Sequence, residues 1–251
     1  MSSTRLNQLI RIFNWSAAII FLITTLMIFF YAPTERTMGN VQRILYFHVG
    51  SAWVASIAFA MGLLGGVLYL RSPSRRWDNF SLASVEIGLV FVTMTIASGS
   101  VWGRPAWNTW WIWSSPRLTS IVILWLTYVA YFMLRGALAD EERRGRLSAI
   151  YVIASFATVV FCYLSIRLLR DIHPVVFGDT LVESAQGASQ GESEFANGLD
   201  SMRMGITMTM STISFTLLYI AWVLNRIRLQ NMIYATEKLK ARLSARLQGG
   251  H

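Results

Sequence analysis

Residues 49–70 read VGSAWVASIAFAMGLLGGVLYL, twenty-two consecutive positions without a charged side chain. A helix needs about 20 apolar residues to cross the hydrocarbon core of a bilayer. This stretch is therefore long enough to span a membrane. Five further runs qualify, at 12–31, 80–101, 118–134, 147–166 and 204–224, and the only charge inside any of the six is Glu86. Backbone groups in lipid must be satisfied within their own segment, which leaves the α-helix as the conformation for each run. The fold class predicted is all-α: a polytopic membrane protein built as a six-transmembrane helix bundle. The whole of 1–251 forms a single integral membrane domain. A composition that is 54% hydrophobic and only 14% charged excludes an ordinary soluble domain.

The first run follows Arg5 and Arg11, as the core of a secretory signal would. It is longer than the ~7–15 residues of such a core, and Tyr31-Ala32-Pro33 is a poor cleavage site, so an uncleaved first span is expected. Fifteen of the twenty-two Lys and Arg residues fall in the N-terminus, the loops 71–79 and 135–146, and the tail 225–251. The positive-inside rule places these segments, and with them both termini, in the cytoplasm. A net charge of +9 is then the ordinary bias of a membrane protein toward anionic lipid heads and requires no nucleic acid. The basic tail alternates apolar and cationic residues at helical spacing. Leu229, Met232, Ile233, Leu239, Leu243 and Leu247 form a stripe suited to a helix lying on the membrane surface, or to docking a partner. The lone cysteine, Cys162, lies within the fifth run and has no second thiol to pair with; it reads as a small buried apolar residue. Glu86 is expected to pair locally or reach the interface.

By parity, the connections after the first, third and fifth spans share the outer face. One of them, residues 102–119, reads WGRPAWNTWWIWSSPRLT and holds Trp102, Trp107, Trp110, Trp111 and Trp113, half of the ten tryptophans in the chain. An aromatic belt at the membrane boundary accounts for the scattered Trp15, Trp53, Trp77, Trp125 and Trp222. It accounts poorly for five in one outward loop. His48, just before the second run, and His173, just after the fifth, lie on the same face as this loop.

Two histidines and an aromatic platform suit haem. Imidazole nitrogens are axial ligands for haem iron, indole faces pack against a porphyrin, and arginine forks recognise propionates. Arg43, Arg104 and Arg117 are available there for propionate or partner contacts. Blander readings stand beside each piece: an interfacial histidine, belt tryptophans, and arginines binding lipid phosphate.

The tryptophan segment resembles the WWD motif of haem-handling proteins in cytochrome c maturation. Trp102-Gly103, the spacing from Trp107 to Trp113, Arg117-Leu118-Thr119-Ser120 and the stretch RILYFHV at 43–49 are similar to the CcmC (haem exporter protein C) family over nearly the whole chain. The resemblance implies a protein of the bacterial cytoplasmic (inner) membrane that holds haem b at the outer face. His48 and His173 would be axial ligands to the haem iron, with the tryptophan loop as platform. It implies hand-over to a CcmE-like haem chaperone in the periplasm, beside CcmAB-like ABC transporter subunits and a CcmD-like small membrane protein. No enzyme activity is implied, and no ATP-binding motif is present in the sequence.

Two departures stand out. The family places an aspartate soon after its last tryptophan, where this chain reads Trp113-Ser114-Ser115-Pro116-Arg117. The family often has proline where Gly50 stands here, which is expected to loosen the start of span two. Two other functions remain compatible with the sequence: a carrier or quinone-reactive subunit using the aromatic loop for a different flat ligand, and a non-haem scaffold of the maturation complex.

Overall fold

The computed structural model describes residues 3–36, 38–169 and 201–248. Helix α1 runs Ser3–Leu26 and continues as a π-turn, Met27–Tyr31. A short 3-10 turn, Asn40–Gln42, leads into α2, Arg43–Arg71. Then follow α3 (Arg75–Trp107), α4 (Pro116–Ala137), α5 (Glu141–Leu168) and α6 (Met202–Gln248). Among the described residues six helices are long and apolar enough to cross a membrane, as the hydrophobic runs require.

The bundle is organised around α2 and α3, which approach closely because small residues face each other. A Cβ on Gly65 would stand 2.9 Å from Ser81 Cβ and 3.0 Å from the Ser81 backbone. One on Gly88 would stand 2.9 Å from the Phe59 ring. Without a hydrophobic driving force in lipid, such close backbone packing and interhelical hydrogen bonds hold helices together. Ser81 donates to Gly62 O at 2.9 Å, and Ser51 and Thr95 share a hydroxyl contact at 3.0 Å. Around this pair, Phe59 stacks on Tyr128 of α4 with centroids 3.8 Å apart, and Phe91 stacks on Trp222 of α6 at 5.3 Å. Helix α1 is peripheral. It lies along α6, joined by an Asn225–Asn14 amide contact of 2.7 Å, while Trp15, Leu22 and Phe30 face outward.

The helix ends carry their own chemistry. Asp140 caps α5, accepting from Arg143 N at 2.7 Å, with Glu141 and Glu142 in the first turn where the helix dipole favours negative charge. Ser115 caps α4 by accepting from Leu118 N at 3.2 Å, and Pro116 occupies the first helical position, where its missing N–H costs nothing.

Three boundaries differ from the sequence expectation. Helix α2 begins at Arg43, so His48 sits on a helix and not in a connector. Helix α3 extends to Trp107, which leaves Asn108–Ser115 as the connection. The sixth span and the tail form one uninterrupted helix of 47 residues, not a span followed by a separate surface helix. No Gly or Pro lies between Leu224 and Gln248 to break it. Its first turns beyond the apolar run are anchored to α3, with Arg226 bidentate on Glu86 and Asn79 donating to Asn231 at 3.3 Å. At ~1.5 Å per residue, this helix is about 70 Å long, more than twice the thickness of a hydrocarbon core. Glu86 thus has the local partner expected of it.

Gly50 does not loosen α2. It is buried in a regular helix, and a Cβ there would meet Phe215 at 2.8 Å and Ser211 Oγ at 2.9 Å. Its role is close approach of α6, whose Ser211 donates to Tyr46 O at 2.7 Å.

Candidate functional site

At the end of the bundle where α3 finishes and α4 begins, His48 of α2 projects onto α3. Its ring lies directly over Gly99: a Cβ there would stand 2.9 Å from His48 Cε1. His48 Nδ1 is 3.1 Å from Ser98 Oγ. The Ser98 hydroxyl has one proton, and it is directed to backbone acceptors of its own helix, Met94 O at 2.7 Å and Thr95 O at 3.2 Å. A proton on Nδ1 fits this contact, and in that tautomer Nε2 carries the lone pair. A neutral imidazole with one nitrogen tied to a hydrogen-bond acceptor and the other carrying a lone pair is the arrangement a metal-ligating histidine adopts.

His48 lines a cavity of about 30 Å³ together with Trp102, Trp107, Trp111, Arg117 and Thr95. Trp102 is buried at the end of α3, and its ring meets that of Trp107 edge-on at 5.2 Å. The chain then reverses through Asn108, which takes the left-handed conformation (φ 55°) that terminates α3. Arg104 braces this reversal, donating to Asn108 O at 2.5 Å and Oδ1 at 2.6 Å. Trp111 folds back beneath the connection, and its Nε1 is buried without a hydrogen-bond acceptor. Trp110 and Trp113 stay on the outside, 59% and 68% exposed. Thr119 fixes the carbonyl of Trp113 at 2.6 Å.

The arrangement unites His48, Trp102, Trp107, Trp111 and Arg117 around one cavity, with Trp110 and Trp113 on its outer side. Arg117 also donates to Cys162 O and lies 4.9 Å from the Tyr163 ring centroid, fastening the start of α4 to α5. Arg104 is exposed beside the connection. Arg43 is not brought to this cavity. Five residues before His48, it lies ~140° around the helix, where it donates to Ile28 O in the π-turn and sits over Phe29. His173, the other expected ligand, lies outside the described residues. Cys162 is buried, as expected of a small apolar residue.

The chain as a whole corresponds to a known family. The family model of heme exporter protein C, CcmC, matches residues 2–243. The chain belongs to the CcmC family. It is 28% identical over 215 residues to the heme exporter protein C of Escherichia coli K12, an alignment covering 84% of this chain and 78% of that one. It is 30% identical over 146 residues to the heme exporter protein C of Rhodobacter capsulatus, covering 58% and 60%. A ccmC-like mitochondrial protein of cytochrome c biosynthesis from Marchantia polymorpha is 29% identical over 142 residues, and the match spans 59% of its length. CcmC membership and six membrane-length helices make this chain a multi-pass membrane protein.

Two features of this CcmC chain escaped the sequence reading. Ser98 and Gly99 were not singled out, although Ala97-Ser98-Gly99-Ser100 is a run of small residues one turn before the tryptophan segment, where a helix can admit a ring from its neighbour. The residues standing in place of the family aspartate have a job of their own, since Ser115 and Pro116 form the N-terminal cap of α4.

Proposed function

We propose that this protein binds haem b at the outer face of a bacterial inner membrane and delivers it for cytochrome c maturation. The reading is supported above all by His48, whose ring is 3.1 Å from Ser98 Oγ and lines a cavity walled by Trp102, Trp107 and Trp111. His48 is one axial ligand and His173 the other.

A cavity of about 30 Å³ does not admit a porphyrin. The ring instead lies across the mouth, with the exposed faces of Trp110 and Trp113 as its platform and the buried tryptophans holding the shelf rigid. The guanidinium groups of Arg104 and Arg117 supply donors for the propionates. Arg43 serves the site at one remove, by fixing the π-turn against α2. The termini are cytoplasmic, following the distribution of basic residues. An outward shelf lets a CcmE-like chaperone take the haem without the ligand crossing the chain, and CcmAB-like and CcmD-like subunits complete the assembly. The protein itself binds and presents; it catalyses no bond change.

The test is an absorption spectrum of detergent-purified protein with haem added. The wild type gives the six-coordinate spectrum of two imidazoles on one iron, and His48→Ala or His173→Ala loses it while helicity is kept. Retention of that spectrum by both single variants overturns the ligand assignment. Equal binding of iron-free porphyrin, indifferent to both histidines, points instead to a carrier of flat apolar ligands.

A further inference from the structure

Helix α6 outruns its own apolar run by 24 residues, Asn225 to Gln248. Its first turns beyond that run are held against α3 by Arg226 on Glu86, Asn231 on Asn79 and Arg75 over the Tyr234 ring. Every residue from 231 to 246 is exposed. Two marks locate the membrane boundary on this helix. The uncharged run of α6 ends at Leu224, and Asn231 is level with Asn79, the residue before the apolar run of α3. Even from the later mark, Leu239 and Leu243 lie about 12 and 18 Å further on at ~1.5 Å per residue. The headgroup layer is only about 5–8 Å deep on each side, and a tilt of up to ~40° shortens those distances by no more than about a quarter. Lipid therefore does not reach these two leucines, which are 57% and 52% exposed.

They continue a stripe that begins with Leu229, Met232 and Ile233, all exposed. At ~100° per residue the five side chains fall within about 120° around the helix. An apolar stripe standing in water marks an interaction surface. The charges beside it identify what it receives. Glu237 and Lys240 pair with each other at 3.0 Å. The other charges between 227 and 248 are Arg228, Lys238, Arg242 and Arg246, all cationic, and none makes an ion pair among the described residues. On the same helical count, Arg228 and Arg246 lie ~20° and Arg242 ~60° beyond the Leu239 edge of the stripe. A second copy of this chain in the same membrane brings its α6 alongside in parallel. With Leu229, Met232, Leu239 and Leu243 at the seam, Arg246 occupies the next seam position and meets its own copy, so self-pairing is opposed.

We infer that the projecting end of α6 docks an acidic amphipathic helix of a partner protein, in the water at the end of the bundle opposite the tryptophan connection. Apolar residues of the partner cover Leu239 and Leu243, and its carboxylates face Arg242 and Arg246. Burial of the leucines supplies most of the affinity, and the charges set the choice of partner. The docking is independent of what the tryptophan end binds.

The experiment uses the full chain in phosphatidylcholine nanodiscs and two labelled synthetic peptides of three heptads. Both carry leucine at positions a and d; one has glutamate at e and g, the other lysine. By fluorescence anisotropy the wild type binds the glutamate peptide about tenfold more tightly than the lysine peptide. Leu239→Ser with Leu243→Ser weakens that binding about tenfold. Arg242→Glu with Arg246→Glu reverses the preference toward the lysine peptide, a gain that misfolding does not produce. Equal affinity for both peptides in the wild type, or unchanged affinities in these variants, overturns the inference. Leu243→Cys, in a chain that also carries Cys162→Ser, tests the other occupants. Quenching of a bimane at that position by headgroup-nitroxide lipid in phosphatidylglycerol nanodiscs assigns the stripe to the membrane, and disulfide cross-linking of two unlabelled chains assigns it to a second copy. Either result overturns the inference.

Discussion

Gly99→Ala is the sharpest test of the haem site, because it sets the fold and the site against each other. Gly99 lies inside α3, where alanine is favoured over glycine by up to about 1 kcal/mol of helix propensity. Yet the added methyl stands 2.9 Å from His48 Cε1, 3.4 Å from Nδ1 and 3.9 Å from Nε2. A relaxed carbon contact needs ~3.5 Å or more, so the imidazole retreats by about half an ångström or turns. The 3.1 Å contact from Nδ1 to Ser98 does not survive that motion intact. Binding constellations tolerate errors of only about 0.5 Å, and loss of the partner that orients a ligating histidine lowers metal affinity about 10–100-fold. The variant is therefore expected to melt at or above the wild-type temperature by circular dichroism while binding haem about 10–100-fold more weakly in an absorption titration. If Gly99→Ala binds haem with wild-type affinity and an unchanged Soret band, His48 does not ligate iron from the position described here.

Other consequences of the packing are equally measurable. Arg135→Met strips the partner from Asp78, whose ion pair is 11% and 20% exposed at its two side chains, and costs about 3 kcal/mol in reversible unfolding in detergent. Adding Asp78→Leu recovers most of that loss, because the uncompensated charge goes with it. Gly65→Ala, whose Cβ meets the Ser81 backbone at 3.0 Å, destabilises by about 1–3 kcal/mol. Gly136→Ala, with nothing within 4 Å, is neutral or slightly stabilising in the same assay. Trp110→Ala and Trp113→Ala each weaken haem retention without lowering the melting temperature, since both rings lie largely outside the packed core.

The sequence made the helices legible because each apolar run is long enough to cross a bilayer and nearly free of charge, and lipid leaves no other conformation. It misplaced their ends because hydrophobicity marks the lipid boundary, whereas a helix continues until something stops it. Arg43 and His48 lie outside the uncharged, strongly apolar run and so read as preceding the span, yet 43–48 is helical, with Ser211 and Phe215 packed against the start of α2. The tail looked separable at Asn225 because composition changes there, but no residue breaks the backbone and Glu86 holds Arg226 in line. Of the site, the tryptophans and His48 were visible because their chemistry is unusual. Ser98 and Gly99 were not, because a serine and a glycine near the end of a span acquire meaning only from the ring laid upon them. Arg43 has a suitable charge, but its side chain goes to the π-turn, at Ile28 O and Phe29, and not to the cavity that His48 lines.

The substitution of Ser114-Ser115-Pro116 for an acidic motif bears on how rigid the tryptophan shelf is. An aspartate near the start of α4 combines helix-capping capacity with a negative charge beside Arg117. Here the two properties are separated. Ser115 supplies the cap and Pro116 the fixed entry angle, while Arg117 takes its acceptor from the Cys162 carbonyl. The shelf is thus tied to α5 through a neutral carbonyl and an aromatic face. A carboxylate added beside a guanidinium competes with a propionate for it. Restoring a carboxylate with Ser114→Asp should then weaken haem binding in low salt and have less effect at high ionic strength, where exposed charges are screened. A salt-independent change would place the effect in the geometry of the cap and not in the charge of Arg117.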